Sequence, residues 1–195
     1  DPDAGARCRY GCGVFLAGVW TPSSSLAYTC GPAGVQRWNG TSWATVNTGA
    51  SLVPFDVWGS SANRVWVVGG VGQIRTFDGA TWSSQTSGTG SDLLRVHGRS
   101  DSDVFAVGAG GAIVHWDGTS WTPQTSGTSE GLFGVWALPG GTAWAVGFNG
   151  TILHHDGTSW SAQPSGGGEH MMGVWASSDS DVWVAGLNGT VHHWN

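Results

Sequence analysis

Three features of the sequence predict an all-β fold, a five-bladed β-propeller of four-stranded antiparallel blades. They are a repeat of about 39 residues, the tight-turn dipeptides inside it, and the placement of its tryptophans. The clearest unit spans 134–172. Near copies span 95–133 and 56–94, a degenerate copy spans 18–55, and a fifth begins at Gly173 and reaches Asn195 after about three fifths of a unit. A period of this size with several short strands per unit marks a radial array. One blade cannot bury both of its faces, and stacking blades around an axis buries them while leaving only short edges.

Within the unit at Gly134, four strands are predicted at 132–137, 143–146, 151–155 and 158–163. Asn149-Gly150 separates the second from the third, and Asp156-Gly157 the third from the fourth. Such dipeptides between apolar alternations are strong hairpin signals, because both central residues of the turn take positive φ. The Gly-rich stretch 165–168 connects to the next unit. No stretch carries helical periodicity over eleven residues.

Aligning the units places all 14 Trp at four positions, one on each strand. Trp20, Trp58, Trp136 and Trp175 share the first, with His97 in the remaining unit. Trp66, Trp144 and Trp183 share the second, with Tyr28 and Phe105 substituting. Trp38, Trp116 and Trp194 share the third, and Trp43, Trp82, Trp121 and Trp160 the fourth. Blade-to-blade packing is their expected role, each ring burying about 150–250 Å². A sugar-stacking role for an outer-strand position is the alternative.

The fifth unit lacks a fourth strand. The segment 1–17 aligns with the end of a unit, with Ala4 to Cys8 where that strand belongs. The expectation is a single domain over 1–195 whose ring closes when the N-terminal segment supplies the outer strand of the last blade. The three cysteines, Cys8, Cys12 and Cys30, cannot all pair. Cys30 ends a second strand and Cys12 falls in an inter-blade loop on the same face, so a Cys12–Cys30 disulfide would pin the closure. Cys8–Cys12, Cys8–Cys30 and free thiols are the alternatives.

Composition narrows the function. Charged residues are 10% of the chain, net charge is −6, and all seven basic residues are Arg. Without a basic run there is no footprint for nucleic acid, and no apolar run approaches the roughly 18 residues that span a bilayer. The opening DPDAGARC has no signal-peptide pattern and reads as a mature or excised segment. A surface of Ser, Thr, Gly and Asn suits a secreted or cell-surface setting.

The repeats VWASSDSDVWVAGLNGTVHHWN and VWALPGGTAWAVGFNGTILHHDGTSW resemble the tandem repeats of bacterial β-propellers described as BNR or Asp-box-like. The Asp-box proper reads SxDxGxTW, whereas FDGATW, WDGTSW and HDGTSW are one residue shorter between Asp and Trp. In blade count and size the chain also resembles tachylectin-2-type lectins, an architectural likeness. Asp-box propellers include sialidases, but the Arg residues here are scattered, Tyr28 fills a core position, and Glu130 and Glu169 sit in equivalent loops. The chain therefore reads as no enzyme, with no cofactor and no metal site. His115, His154 and His193 recur at one third-strand position, too far apart to share an ion at about 2.0–2.1 Å. Asp101, Asp103, Asp179 and Asp181 are expected to form Asx turns. Asn39, Asn149 and Asn188 begin Asn-Gly-Thr triplets, read as turn chemistry in preference to glycosylation.

Variation concentrates on the face carrying the second-to-third turns and the inter-blade loops, where function is expected. The candidate ligand-binding residues are Asp92, Glu130, Phe148, Asn149, His154, Glu169, His170 and Asn188. Their mix of amides, carboxylates, imidazoles and aromatic edges suits hydroxyl-rich ligands. The primary expectation is a multivalent carbohydrate-binding propeller with repeated inter-blade pockets and glycan partners. The alternative is a protein-interaction or structural surface module with an extracellular protein as partner.

Overall fold

The computed structural model describes residues 18–49 and 52–195. Among them, five antiparallel sheets follow one another in chain order, four of four strands and a last of three. Blade 1 contains β1 (Gly18–Ser23), β2 (Leu26–Gly31), β3 (Gly34–Trp38) and β4 (Trp43–Val46). Blade 2 contains β5 (Pro54–Ser61), β6 (Arg64–Gly69), β7 (Ile74–Phe77) and β8 (Trp82–Gln85). Blade 3 contains β9 (Leu93–Ser100), β10 (Asp103–Gly108), β11 (Ile113–Trp116) and β12 (Trp121–Gln124). Blade 4 contains β13 (Leu132–Ala137), β14 (Ala143–Gly147), β15 (Ile152–His155) and β16 (Trp160–Ala162). Blade 5 contains β17 (Met171–Ser178), β18 (Asp181–Gly186) and β19 (Val191–Trp194). The four strands expected in the unit at Gly134 are those of blade 4, with ends moved by a residue or two. The segment 1–17, with Cys12 and the strand exchange expected of it, lies outside the described residues.

The first strand of each blade is the innermost. β1 packs on β5, β5 on β9, β9 on β13 and β13 on β17, and residues of all five line one central cavity of about 240 Å³. Strand alternation then gives each blade two apolar faces. The face toward the following blade presents Tyr28, Cys30 and Val35 in blade 1, which pack with Val57, Val65 and Val67 of blade 2. Trp66, Val68 and Ile74 of blade 2 meet Val96, Val104 and Ala106 of blade 3. Phe105, Val107 and Ile113 then meet Val135, Ala143 and Ala145, and Trp144, Val146 and Ile152 meet Val182 and Val184. Each junction repeats one aromatic and two smaller apolar side chains, both aliphatic in blades 2 to 4 and Cys30 with Val35 in blade 1, against Val or Ala positions.

A second device runs along the channel. The first-strand aromatic of one blade lies over a small residue of the next. A Cβ on Gly59 would come within 2.7 Å of the Trp20 ring, and one on Gly98 within 2.8 Å of the Trp58 ring. These two glycines are required by close approach, not by backbone conformation. Packing is thus the role of the buried Trp, as expected, but burial is uneven. Trp66 is 0% exposed, Trp144 4%, and the equivalent Trp183 in the last blade 44%.

The turns divide into two kinds. At the second-to-third turn, Asn149 and Gly150 both take positive φ, 52° and 70°, as expected of Asn-Gly. The Asp-Gly turns differ from expectation. Asp156 is not in the left-handed region, and only Gly157 is, at φ 98°. The Asp156 carboxylate instead accepts hydrogen bonds from the Thr158 and Ser159 amides at 2.8 and 2.9 Å. Asp117 does the same for Thr119 and Ser120. The short carboxylate caps the loop from inside, and in both blades this holds the carboxyl near 2.

Blade 2 breaks the second-to-third turn rule. The position of Asn149 is taken by Val71, at φ 55° and 73% exposed. A β-branched side chain in the left-handed region costs about 1–2 kcal/mol. Its amide donates to Asp92 Oδ1 at 2.8 Å, which helps hold it there. Val71→Gly, or Val71→Asn as in blades 4 and 5, is expected to stabilise the protein by about 1 kcal/mol and raise Tm by about 2–4 °C. Thermal unfolding that is unchanged or lowered would show that the turn carries no strain.

Candidate functional site

The upper face, which carries the second-to-third turns and the inter-blade loops, is built from the innermost strands outward. Each innermost strand after the first begins with a bulky doublet: Pro54-Phe55, Leu93-Leu94, Leu132-Phe133 and Met171-Met172. Register shifts at this point, between Leu132 and Gly134 and between Met171 and Gly173, break the simple alternation. The first member of each doublet is buried and the second is more exposed, Met172 reaching 41%. Phe133 and Met172 both line the cavity. Neither was singled out in the sequence, although two apolar residues in succession, recurring with the repeat, carried the signal.

Around Phe133 the structure assembles several of the expected residues. Phe148, at the tip of the blade 4 turn, packs edge-on against Phe133 at 4.4 Å between ring centres. His170, from the loop leading into blade 5, also packs edge-on against Phe148, at 4.6 Å. The Asn149 amide donates to His170 Nδ1 at 3.1 Å, tying the turn to that loop. Gly131 is small because a Cβ there would lie 3.3 Å from Phe148. Asn188, on the blade 5 turn, donates its amide to Glu169 at 2.8 Å. The Glu130 backbone amide donates to Thr128 Oγ1, which fixes the loop beside Gly131. Asp92 occupies the same repeat position as His170 and accepts from Val71.

Phe148, Asn149, Glu169, His170 and Asn188 therefore form one neighbourhood, with Glu130 at its edge. Asp92 belongs to the corresponding junction of blades 2 and 3. At both junctions the side chain from the loop closes onto the turn, where the lectin reading expected an open pocket.

His154 is not part of this face. It lies near the lower end of its strand, where Nε2 donates to Asp179 of the next blade at 3.1 Å. Asp179 also accepts from Trp144 Nε1 at 3.3 Å. The acidic turns expected as Asx turns are thus inter-strand and inter-blade ties. His115 donates to Asp103 at 2.6 Å and His193 to Asp181 at 2.9 Å. Burial alone would raise the Asp103 carboxyl, but hydrogen bonds from His115 and Arg99 outweigh it and hold it below the usual range. Among the described residues, no three His, Cys, Asp or Glu side chains are grouped to hold a metal ion. No helix among them is long and apolar enough to cross a membrane.

Three ionisable groups that were not among the expected site residues line the channel: Asp56, Arg95 and His97. His97 takes the place of a first-strand Trp and stacks on Trp136 at 4.1 Å, with Trp58 at 5.6 Å on the preceding blade. Its Nδ1 accepts from the Ala137 amide at 3.0 Å, so the neutral ring is the one that fits. Burial among these rings pushes His97 down to about 4. Asp56 accepts from the Val96 amide at 3.0 Å, and burial pushes its carboxyl up to about 6. Cys30 is a buried thiol beside Asp56, raised by burial to about 12.

No protein-family model and no curated protein matches the chain. Solved structures do. YCF48 bound to D1 peptide is similar over 93% of this chain and 64% of its own, with a TM-score of 0.71 at 17% identity. YCF48 from Cyanidioschyzon merolae is similar over 91% of this chain and 66% of its own, with a TM-score of 0.66 at 14% identity. The WD40 β-propeller domain of Doa1 gives 89%, 61%, 0.69 and 13% on the same measures. These likenesses establish a β-propeller fold. The chain spans under two thirds of the length of each structure.

The channel histidine has a measurable consequence. Above its ordinary pKa of about 6.5 the ring is neutral in both folded and unfolded chains. As pH falls from 6.5 to 4 only the unfolded chain takes up the proton, so stability is lost across that window, by about 3 kcal/mol. Asp56 acts oppositely, because its burial opposes folding at pH 7 and that cost is relieved as pH falls through 6. In His97→Phe the first effect disappears and the second remains. The stability of the variant relative to wild type is expected to rise by about 3 kcal/mol between pH 7.5 and pH 4. Urea unfolding at the two pH values reads this directly. A difference that does not change with pH would refute the assignment.

Proposed function

We propose that this propeller is a non-enzymatic protein-interaction module that binds an extended peptide segment across its upper face, at the mouth of the channel. The observation that carries the reading is the cluster Phe133, Phe148, His170 and Met172, with Glu130 and Glu169 beside it. Phe148 and Met172 are well exposed, at 37% and 41%. Exposed apolar side chains grouped with charge at their rim are the usual mark of a contact surface.

The chemistry of the patch defines the partner. Aromatic and thioether side chains accept apolar side chains of varied shape. The carboxylates of Glu130 and Glu169, on a chain of net charge −6, favour Lys or Arg next to them. The expected ligand is an extended segment with an apolar anchor flanked by basic residues. One structure similar in fold is itself described as bound to a peptide, which supports this reading by analogy of fold alone. The carbohydrate reading rested on repeated inter-blade pockets. At the two junctions where the loop side chains are Asp92 and His170, hydrogen bonds to the turn occupy that position, and none of the similar structures above is described with a sugar.

Selection from a displayed library of random twelve-residue peptides tests the proposal. Enriched sequences are expected to pair Lys or Arg with aromatic or aliphatic residues. Phe148→Ala is expected to weaken their binding at least tenfold, about 1.4 kcal/mol or more. Glu169→Gln is expected to weaken it by less and to reduce its salt dependence. Binding indifferent to both substitutions would remove the patch from consideration. Glycan binding that is lost in Phe148→Ala would restore the lectin reading.

A further inference from the structure

We propose that the central channel holds a small-molecule site whose ligand is a free α-amino acid with an apolar side chain. Residues of all five innermost strands line the cavity of about 240 Å³. Gly18, Asp56, Arg95, Gly134 and Gly173 stand at one level of these strands. Each pairs with the same position of its second strand: Cys30, Val68, Val107, Val146 and Ala185. At this level a carboxylate and a guanidinium occupy neighbouring strands, and the other three strands carry no side chain. Two residues further along, Trp20, Trp58, His97 and Trp136 line the same cavity. The channel therefore joins one pair of opposite charges to a wall of rings. Asp56, Trp58, Arg95, His97 and Trp136 belong to blades 2, 3 and 4, each packed between two others.

The two charges do not neutralise each other directly. Among the described residues, the ion pairs are made by Arg99, His115, His154 and His193 with Asp103, Asp179 and Asp181, and neither Asp56 nor Arg95 takes part. A guanidinium has five N–H donors, and that of Arg95 donates to the Leu94 carbonyl at 2.7 Å. Asp56 accepts at Oδ2 from the Val96 amide. Burial pushes its carboxyl up to about 6, and the attraction of Arg95 offsets this only in part. Desolvated charges are stabilised by close, hydrogen-bonded partners of opposite sign. A bound molecule carrying both signs supplies both partners. Its ammonium meets Asp56, and its carboxylate accepts from the Arg95 fork.

Size and lining set the rest of the ligand. The cavity is smaller than the roughly 300–1,000 Å³ of pockets that hold drug-sized molecules, so the ligand is compact. Trp58, Trp136, Phe133 and Met172 offer an apolar surface to its side chain. A simple carboxylate would leave Asp56 without a partner, and a simple amine would leave Arg95 without one. An α-amino acid carries both groups on one carbon.

Isothermal titration of the full chain with L-leucine, L-methionine and L-phenylalanine tests this. The tightest of the three is then compared with its N-acetyl derivative, which lacks the ammonium, and its amide, which lacks the carboxylate. One amino acid per chain is expected to bind, and each derivative at least about tenfold more weakly. Asp56→Asn and Arg95→Gln are each expected to weaken the free amino acid by a similar factor. Asp56→Asn should not weaken the N-acetyl derivative further, nor Arg95→Gln the amide, a pattern that a merely structural role would not produce. The derivatives are measured on the unaltered chain, so a variant that fails to fold leaves the test standing. No binding of any of the three amino acids at millimolar concentration would overturn the proposal. So would a derivative that binds as tightly as its parent, because one of the two charges would then play no part.

Discussion

The contact between one blade and the next is the constraint on which this structure depends. A four-stranded sheet of alternating residues has two faces, and here both are apolar, so a blade depends on its neighbours to cover them. The aromatic and two smaller apolar side chains that face forward are matched by Val and Ala facing back. Interior packing of this kind tolerates little change in volume. That is why the small positions Gly59 and Gly98 lie under the rings of Trp20 and Trp58. The same constraint explains the gradient of burial along the chain. Trp66 and Trp183 occupy the same repeat position, and only the number of neighbouring blades separates complete burial from near half exposure.

Much of this was legible in the sequence because the repeat samples each position several times. The strands of blade 4, the left-handed Asn149-Gly150 turn and the packing role of the central tryptophans follow from alternation and turn chemistry alone. What escaped was anything requiring two distant positions to be joined. Asp103 and His115, and likewise Asp181 and His193, are each separated by the same interval. Read singly, each was a turn residue or a polar strand edge. The spacing was present in the sequence, but a pairing across a hairpin becomes visible only once the register is known. Blade 4 has Thr142 where the Asp would be, and there His154 turns to Asp179 of the next blade. His154 was for this reason grouped with the upper face by composition and separated from it by geometry.

The bulges at the starts of the innermost strands explain the other omission. A period-two reading places alternate residues on opposite faces, so it treats a doublet such as Leu132-Phe133 or Met171-Met172 as one core residue and one stray. A bulge puts an extra residue on one strand and re-aims its side chain. Here it buries the first member and leaves the second more exposed. The candidate site thus joins residues that were predicted, Phe148 and His170, to residues that were not, Phe133 and Met172. The first pair was visible because loops vary between repeats, while the second was hidden because strand positions recur.

The two ends of the barrel of blades are consequently different in kind. At the lower end, carboxylates are consumed by structure. Asp117 and Asp156 cap their own loops, and Asp103, Asp179 and Asp181 hold histidines or tryptophans of neighbouring strands. Their ordinary binding capacity is already used, and the DGTSW loops that carry part of it vary little from blade to blade. At the upper end, backbone and side-chain bonds fix the turns while leaving Phe148 and Met172 uncovered. A rigid frame that presents apolar side chains loses little conformational entropy when they are covered. The two hairpin ends of each blade therefore differ in one physical respect: at the lower end the polar groups bond to the fold, and at the upper end of blade 4 they hold a turn whose apolar side chain stays exposed.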